Sequence, residues 1–507
     1  MKKLSLLFIG MLSMSLMYGQ NITDALRYSQ DEIQGTARFR ALSGAFGALG
    51  GDMSAVSLNP AGSAVFSSSH VSFTVSNLDT KNDTQYFNGS NSSTESNFDL
   101  NQGGAVLVFA NHNANSPWKK FTLGIAYDKT RNFDDDWFSS GLNTDDDGQF
   151  SNSVASYFYD YANGLRLDEI SAFPNETISE AYSDIGSVYG FAHQQAFLGY
   201  ESYILEPETN DDANTSYTAN VANGDFLHNY SYTSTGYNGK IAFNAAFQYE
   251  DNLYLGINLN SHFINFDRTT LLKEDNSNGG AIEYIDFGNT LSTTGNGFSF
   301  QLGGIMKLSP EFRVGVVYDS PTWFTISEET TQYVDTNLND PIDPQILNVY
   351  PDYKLETPGK LTGSLAYIFG KEGFISFDYS IKDYSKTKFR PTNDPDFVAQ
   401  NNIISSELTN ASTYRIGGEY RVNQFSFRGG YRFEESPYKN GKTIGDLNGY
   451  SLGVGYDFGN IRFDVTYDQH QRTSEYELYH LESPSVSPTT SVDSKNSNVT
   501  LTLSFNI

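Results

Sequence analysis

In the stretch "IRFDVTYD" (461–468), Ile461, Phe463, Val465 and Tyr467 fall on one side, and Arg462, Asp464, Thr466 and Asp468 on the other. Successive side chains of a strand point to opposite faces, so this is a strand with one apolar and one charged face. "ISFDYSIK" (375–382) repeats the pattern, with Ile375, Phe377, Tyr379 and Ile381 opposite Ser376, Asp378, Ser380 and Lys382. A soluble sandwich and a lipid-facing barrel both use such strands, and connection length separates them. Fourteen segments read as strands: 70–78, 103–111, 119–129, 234–250, 252–267, 295–308, 310–326, 359–370, 372–386, 411–423, 424–435, 447–459, 460–472 and 496–507. Every second connection is tiny, such as "EDN" (250–252), "SPE" (309–311), "GKEG" (370–373), "VNQ" (422–424) and "GN" (459–460). The others are long: 79–102, 130–233, 268–294, 327–358, 387–410 and 473–495. An even strand number, with short turns at one end and long loops at the other, predicts an all-β, 14-stranded antiparallel transmembrane barrel. In this register Phe377 faces lipid and Asp378 the lumen, where even an arginine is expected to be tolerated.

The composition agrees. Aromatics make up 15% of the 507 residues while hydrophobic residues total only 38%, which suits a barrel with one apolar face better than a large dry core. No linker divides the chain. Lys2 and Lys3 followed by "LSLLFIGMLSMSLM" read as a secretory signal peptide over residues 1–19. Beyond it no uncharged apolar run approaches the ~18–20 residues that a helical span needs. Without cysteine there is neither a disulfide framework nor a thiol-linked lipid anchor. A net charge of −28 argues against a nucleic-acid partner, which needs a basic footprint.

Ahead of the first strand lies "ALSGAFGALGGDMSAVSLNPAG" (41–62), small-residue-rich and closing on Asn59-Pro60-Ala61-Gly62. Backbone that must pack closely against another backbone favours glycine and alanine. Pro60 fixes φ and removes one N–H that would need a partner.

This segment resembles the plug of the FadL/TodX family of outer-membrane transporters for fatty acids and aromatic hydrocarbons, ending in that family's Asn-Pro-Ala motif. The resemblance continues in "VGVVYDSPTWF" (314–324), "LETPGKLTGSLAYIF" (355–369), "ISFDYSIKDYSK" (375–386), "TYRIGGEYRVNQFSFRGGYRFEESPY" (413–438) and "YSLGVGYDFGNIRFDVTYDQ" (450–469). Gln20 with "DALRYSQ" after it is similar to members from the Bacteroidota. The resemblance implies a barrel over residues 70–507 with an N-terminal hatch, residues 20–69, inside the lumen. It assigns hatch and gating roles to Asn59, Pro60, Ala61, Gly47 and Gly50. It implies passive uptake of hydrophobic small molecules, lateral exit through the wall, contact with outer-membrane lipid, and residence in the outer membrane of a Gram-negative cell. No cofactor, metal or catalytic residue goes with that reading. The alternative is a non-transporting surface or secretion-system barrel, since barrels resembling this family serve as secretion shuttles.

One connection departs from the family pattern. Residues 130–233 carry 18 Asp/Glu and 19 aromatics. Apolar residues at helical spacing in "SVASYFYDYANGLRLDEI" and "ETISEAYSDIGSVYGFAHQQAFLGY" predict an extracellular cap with two helices. Its aromatics either line a ligand concavity or pack the cap together. Other motifs fail on context. "GYSLG" (449–453) matches G-x-S-x-G but continues as a strand instead of turning into a helix. "NTDDDG" (143–148) begins like a calcium loop, but its twelfth position is Val154. Seven scattered histidines make no zinc motif.

Overall fold

The computed structural model describes residues 21–113, 115–145, 150–481 and 486–507. The signal-peptide reading and positions 146–148 of the calcium-like loop lie outside the described residues. Fourteen strands close on themselves. They are β1 (His70–Tyr86), β2 (Gly89–Ala110), β3 (Trp118–Asn132), β4 (Phe226–Tyr249), β5 (Leu253–Asp275), β6 (Tyr284–Lys307) and β7 (Phe312–Asp319). They continue with β8 (Lys360–Phe369), β9 (Gly373–Asp383), β10 (Asn410–Val422), β11 (Phe425–Glu434), β12 (Ile444–Asp457), β13 (Ile461–Glu477) and β14 (Thr489–Asn506). Each pairs antiparallel with its neighbours, and β14 returns to β1 with His70 opposite Asn506. Closure pairs each strand on both sides over part of its length, which removes the free edges that lipid would not tolerate there.

The alternation of "ISFDYSIK" holds in three dimensions. Ile375 and Phe377 are exposed on the barrel exterior, whereas Ser376 and Asp378 are buried toward the lumen. Leu365, Ile416, Leu452 and Phe505 join the same exterior apolar band. No described helix is long and apolar enough to cross a membrane.

Three boundaries differ from the sequence expectation. The 79–102 connection is a hairpin: β1 and β2 pair without a long loop as far as Tyr86 opposite Gly89. Likewise β4, β5 and β6 are 24, 23 and 24 residues long, well beyond the ~9–11 that cross a bilayer. Above the lipid both faces meet water or protein, so alternation vanishes from "DTKNDTQY" and "GSNSSTESN" although the ladder continues. Finally, β7 stops at Asp319; after Ser320-Pro321-Thr322 the chain resumes as Trp323–Thr336, still paired with β6. Proline cannot donate to a ladder and marks the break.

The 130–233 segment is likewise only partly loop. Asp135–Asn143 forms a ladder with Phe226–Ser234 of β4. The described remainder holds three α-helices, where two were expected: Ala155–Ala162, Ile178–Tyr189 and Phe191–Glu201. Gly190, at φ +88°, ends one helix and starts the next, which splits the second predicted helix.

Candidate functional site: the lumen segment, its cavities and the wall

Residues 21–66 run down the inside of the barrel toward β1. Helix α1 (Ile22–Arg27) is capped by Asn21, whose Oδ1 accepts from the Thr23 and Asp24 amides at 2.9 and 3.2 Å. Helices α2 (Ala37–Arg40) and α3 (Met53–Leu58) follow, then a 3₁₀ turn over Pro60–Val65. Between α1 and α2 an extended strap crosses the lumen. On one side, the Arg131 guanidinium of β3 donates to the Arg27 carbonyl at 2.7 Å and to Gln30 Oε1 at 3.1 Å. On the other, Asp31 lies 3.6 Å from Lys360 of β8 and 3.5 Å from Lys382 of β9.

Asn59 bridges the segment to itself and to the wall. Its Nδ2 donates to the Gly47 carbonyl at 2.7 Å and to the Gly304 carbonyl of β6 at 3.2 Å, and its Oδ1 accepts from the Ala61 amide at 3.1 Å. The Pro60 carbonyl accepts from Asn244 of β4 at 2.9 Å. The Phe46 and Gly47 amides donate to Asp378 Oδ2 at 3.0 and 2.9 Å. Asp378 is therefore an anchor, and an arginine there would lose both bonds and crowd Gly47. The expectation that arginine is tolerated at this lumen position does not hold, because the lumen here is packed rather than wet.

Glycines meet across this contact. A Cβ on Gly47 would lie 2.1 Å from Ser364 Oγ, and one on Gly50, at φ +65°, would lie 2.6 Å from Val65. The wall reciprocates: added Cβ atoms at Gly315, Gly430 and Gly256 would fall 2.4, 2.5 and 2.4 Å from backbone atoms of Gly47, Leu42 and Pro60. Their signal in the sequence is glycine at the lumen-facing parity of a strand.

Side-chain anchoring goes beyond Asn59. Buried Arg38 pairs with Glu419 of β10 at 2.9 Å; Glu419 also takes Arg428 of β11 at 2.6 Å, and Arg428 reaches Asp464 of β13 at 2.8 Å. Arg40 pairs with Asp468 of β13 at 2.9 Å. Isolated arginines in a segment otherwise of small residues were the available signal for these anchors.

Two runs of register partners place polar groups on the lumen face of seven consecutive strands, β3 to β9. Asp128 lies opposite Lys240, Lys240 opposite His262, Gln301 opposite Asp319, Asp319 opposite Lys360, and Lys360 opposite Lys382. A cavity of about 150 Å³ sits against these groups, and one of about 190 Å³ lies on the far side of the strap, beside Arg27 and Arg131. Among the described residues no group of three or more His, Asp or Glu could hold a metal ion.

Residues 205–507, more than half of the chain, match the family model described as outer membrane protein transport protein (OMPP1/FadL/TodX). The chain belongs to that family. The barrel also resembles solved structures at low identity: a Pseudomonas aeruginosa FadL homologue (11% identity, TM-score 0.55, covering 94% of this chain and 99% of that one); the P. putida toluene transporter TodX (11%, 0.52, 94% and 99%); and the CymD monoaromatic hydrocarbon channel (12%, 0.51, 94% and 97%). At such identity these likenesses speak for the fold alone. No curated protein sequence matches the chain. Transport and outer-membrane location go with the family.

Two further features of this FadL/TodX-family barrel bear on a ligand's path. Most cap aromatics pack one another: Tyr157, Phe158, Tyr182, Phe197, Tyr217 and Phe226 are buried in one cluster with Trp137 and Tyr230. Tyr157, Phe191 and Tyr230 nevertheless also line a chamber of about 240 Å³ between the cap and α1, floored by Arg268 and Asp24. The second feature is a split wall. β2 and β3 pair only from Gln102–Asp128 down to Ala110–Lys120. Above that, β2 pairs with β1 alone, while the chain after β3 pairs with β4 alone. A Lys129–Asp99 ion pair bridges the seam, with Phe98 and Leu100 exposed beside it.

Proposed function

We propose that this barrel carries hydrophobic small molecules, long-chain fatty acids or aromatic hydrocarbons, passively across the outer membrane, without covalent chemistry. Residues 20–69 act as the hatch, with Asn59, Pro60, Ala61, Gly47 and Gly50 at its gating contact. Residues 144–225 act as an outer cap. The ligand enters the aromatic chamber under the cap, passes the strap, and leaves sideways through the seam between β2 and β3. What supports a lateral route is the arc of polar groups from Asp128 to Lys382: an apolar molecule moving straight down would have to desolvate these charged and amide groups and then displace the hatch. Between the Gln102–Asp128 rung and the contacts of Ser93, Asn91 and Asn88 with Asp136, Ser140 and Leu142, no backbone rung joins the two sides of the seam.

The test uses the absence of native cysteine. In an Asp99→Cys/Lys129→Cys variant, a short bismaleimide that staples the seam should cut uptake of a hydrophobic fluorophore by about tenfold, while each single variant treated alike keeps wild-type uptake. Full uptake by the stapled protein would rule the seam out as the exit.

A further inference from the structure

The chain as a whole is acidic, with 60 Asp and Glu against 32 Lys and Arg, yet one part of its lumen wall is not. Lys129 pairs with Asp99 in β2; that leaves Lys240, Lys360, Lys382 and Arg415 around the cavity of about 150 Å³, facing only Asp128 and Asp319 from the wall. The other acids at this cavity, Asp31 and Glu32, both come from the strap. The wall lining of this cavity therefore carries four cations against two carboxylates, with Lys360 also 3.5 Å from Asp319, and the strap adds Asp31 and Glu32. Asp31 lies between Lys360 and Lys382. Its side chain remains 55% exposed, facing the cavity. The Lys382 ammonium also donates to the Ser29 carbonyl, so the same cation holds the strap twice. Arg415 has no carboxylate within 4.0 Å among the described residues, and its buried Nε has no hydrogen-bond partner. Asp31, Lys360, Lys382 and Arg415 also line a smaller adjoining void of about 50 Å³, together with Glu434, Glu435 and Arg472. Phe39, Phe263 and Phe324 border the larger cavity, so an apolar group and an anionic one could lodge there together.

We propose that Lys360, Lys382 and Arg415 form an anion-binding site in the lumen that Asp31 of the strap occupies from within. Its external ligand is a carboxylate or phosphate group, either as the headgroup of an amphiphile or as a free ion. A ligand anion that replaces Asp31 releases the strap from β8 and β9, so occupancy and hatch movement are coupled by competition for the same cations. The site rests on the transport reading only for how the anion arrives; its occupancy can be measured without transport.

The probes are octanoate, octan-1-ol and inorganic phosphate, titrated calorimetrically into the full barrel in a non-ionic detergent. Asp31→Asn should bind octanoate about fivefold more tightly than wild type, since the internal competitor is gone. Lys360→Gln/Lys382→Gln should lose most of that affinity, with heat-resistant electrophoretic migration confirming that the barrel is folded. If octanoate binds and phosphate does not, the site serves an amphiphile headgroup. If phosphate competes equally, it serves a free anion. Octanol binding as tightly as octanoate, or an affinity that Asp31→Asn leaves unchanged or weakens, would overturn the proposal. Neither result touches the seam experiment, which reads transport on its own.

Discussion

The backbone amide of Gly47 in the lumen segment lies 2.9 Å from the Asp378 carboxylate of β9, with the Phe46 amide 3.0 Å from the same oxygen. One wall carboxylate thus takes two consecutive hatch amides, at a place where glycine leaves no side chain to hold. Replacing Asp378 with alanine removes two charge-assisted hydrogen bonds, about 1.5–3 kcal/mol each. The barrel should still assemble, because its ladder is independent of the lumen. Planar-bilayer conductance should rise from nearly closed to a small open level. Phe377→Arg, one residue away and lipid-facing, should instead cost roughly 2–4 kcal/mol of barrel stability near the midplane without opening the lumen. Identical phenotypes at 377 and 378 would contradict the register.

How much of this was legible beforehand differs between the two faces of the wall. The lipid face announces itself: Ile375, Phe377 and Leu452 alternate with polar residues because lipid and lumen are different solvents. Strand number and order follow from that alternation plus turn length. The lumen face is harder to read. Asp378, Glu419 and Asp468 look like residues bathed in water, and only the folded lumen segment reveals that they accept hydrogen bonds from Gly47, Arg38 and Arg40. The upper strands were invisible for a related reason: the inward face of 79–86 is buried through polar Thr80, Asn82 and Thr84 while the other face meets water, so neither face shows an apolar row.

Wall glycines give a sharper test of the hatch contact. An alanine at Gly315 or Gly430 would place its Cβ 2.4 or 2.5 Å from hatch backbone, which has no flexible end to move aside. Either substitution should push the segment off the wall and raise conductance. Gly363 in β8 has nothing within 4 Å of its Cβ position, so Gly363→Ala is the matched control and should behave as wild type. Conductance unchanged in all three would mean that the lumen segment does not limit ion flow.

Asn59 makes a separate prediction because one side chain serves three bonds. Asn59→Ala loses the Gly47 and Gly304 carbonyl contacts and the Ala61 cap, the last worth about 1 kcal/mol. Asn59→Asp keeps an acceptor for Ala61 but turns a donor into an acceptor facing two carbonyls. It should therefore open the hatch at least as much as alanine does. Intermediate conductance for aspartate would show that the cap, rather than the carbonyl contacts, sets the closed state.

The strap's ion pairs carry a pH prediction. Burial pushes the Asp31 carboxyl up, but Lys382 and Lys360 outweigh it and hold the group well below the usual carboxylate range. A depressed folded value means that the contribution is complete above the unfolded pKa, ~3.9, and is lost only as pH falls below that toward the folded value. Closed-state conductance should therefore be flat from pH 5 to pH 8. A rise between pH 6 and pH 5 would place control of the strap on another group.

The cap can be separated from the barrel at a defined point. Asn143 pairs with Phe226, the last rung of the ladder between Asp135–Asn143 and β4, so the two strand ends face each other across one register position. Replacing residues 144–225 with Asn-Gly offers the two-residue turn that closes such a hairpin with matching twist. The cut removes the three helices and leaves every membrane-level rung intact. It also uncovers Ile285, Phe287 and Tyr479, which now pack under the cap, so some loss of thermal stability is expected even when the barrel forms. Heat-resistant migration and outer-membrane fractionation should still report a closed barrel. Uptake of a hydrophobic fluorophore should fall, because Tyr157 and Phe191 leave the outer chamber and an apolar ligand loses its first enclosed site. The fall should appear at low ligand concentration and shrink as ligand saturates the membrane, since in the proposed route the cap concentrates ligand while the seam sets passage. A variant that transports at the wild-type rate at every concentration would make the chamber dispensable, and a variant that fails to form a heat-resistant barrel would show that the cap is part of the fold.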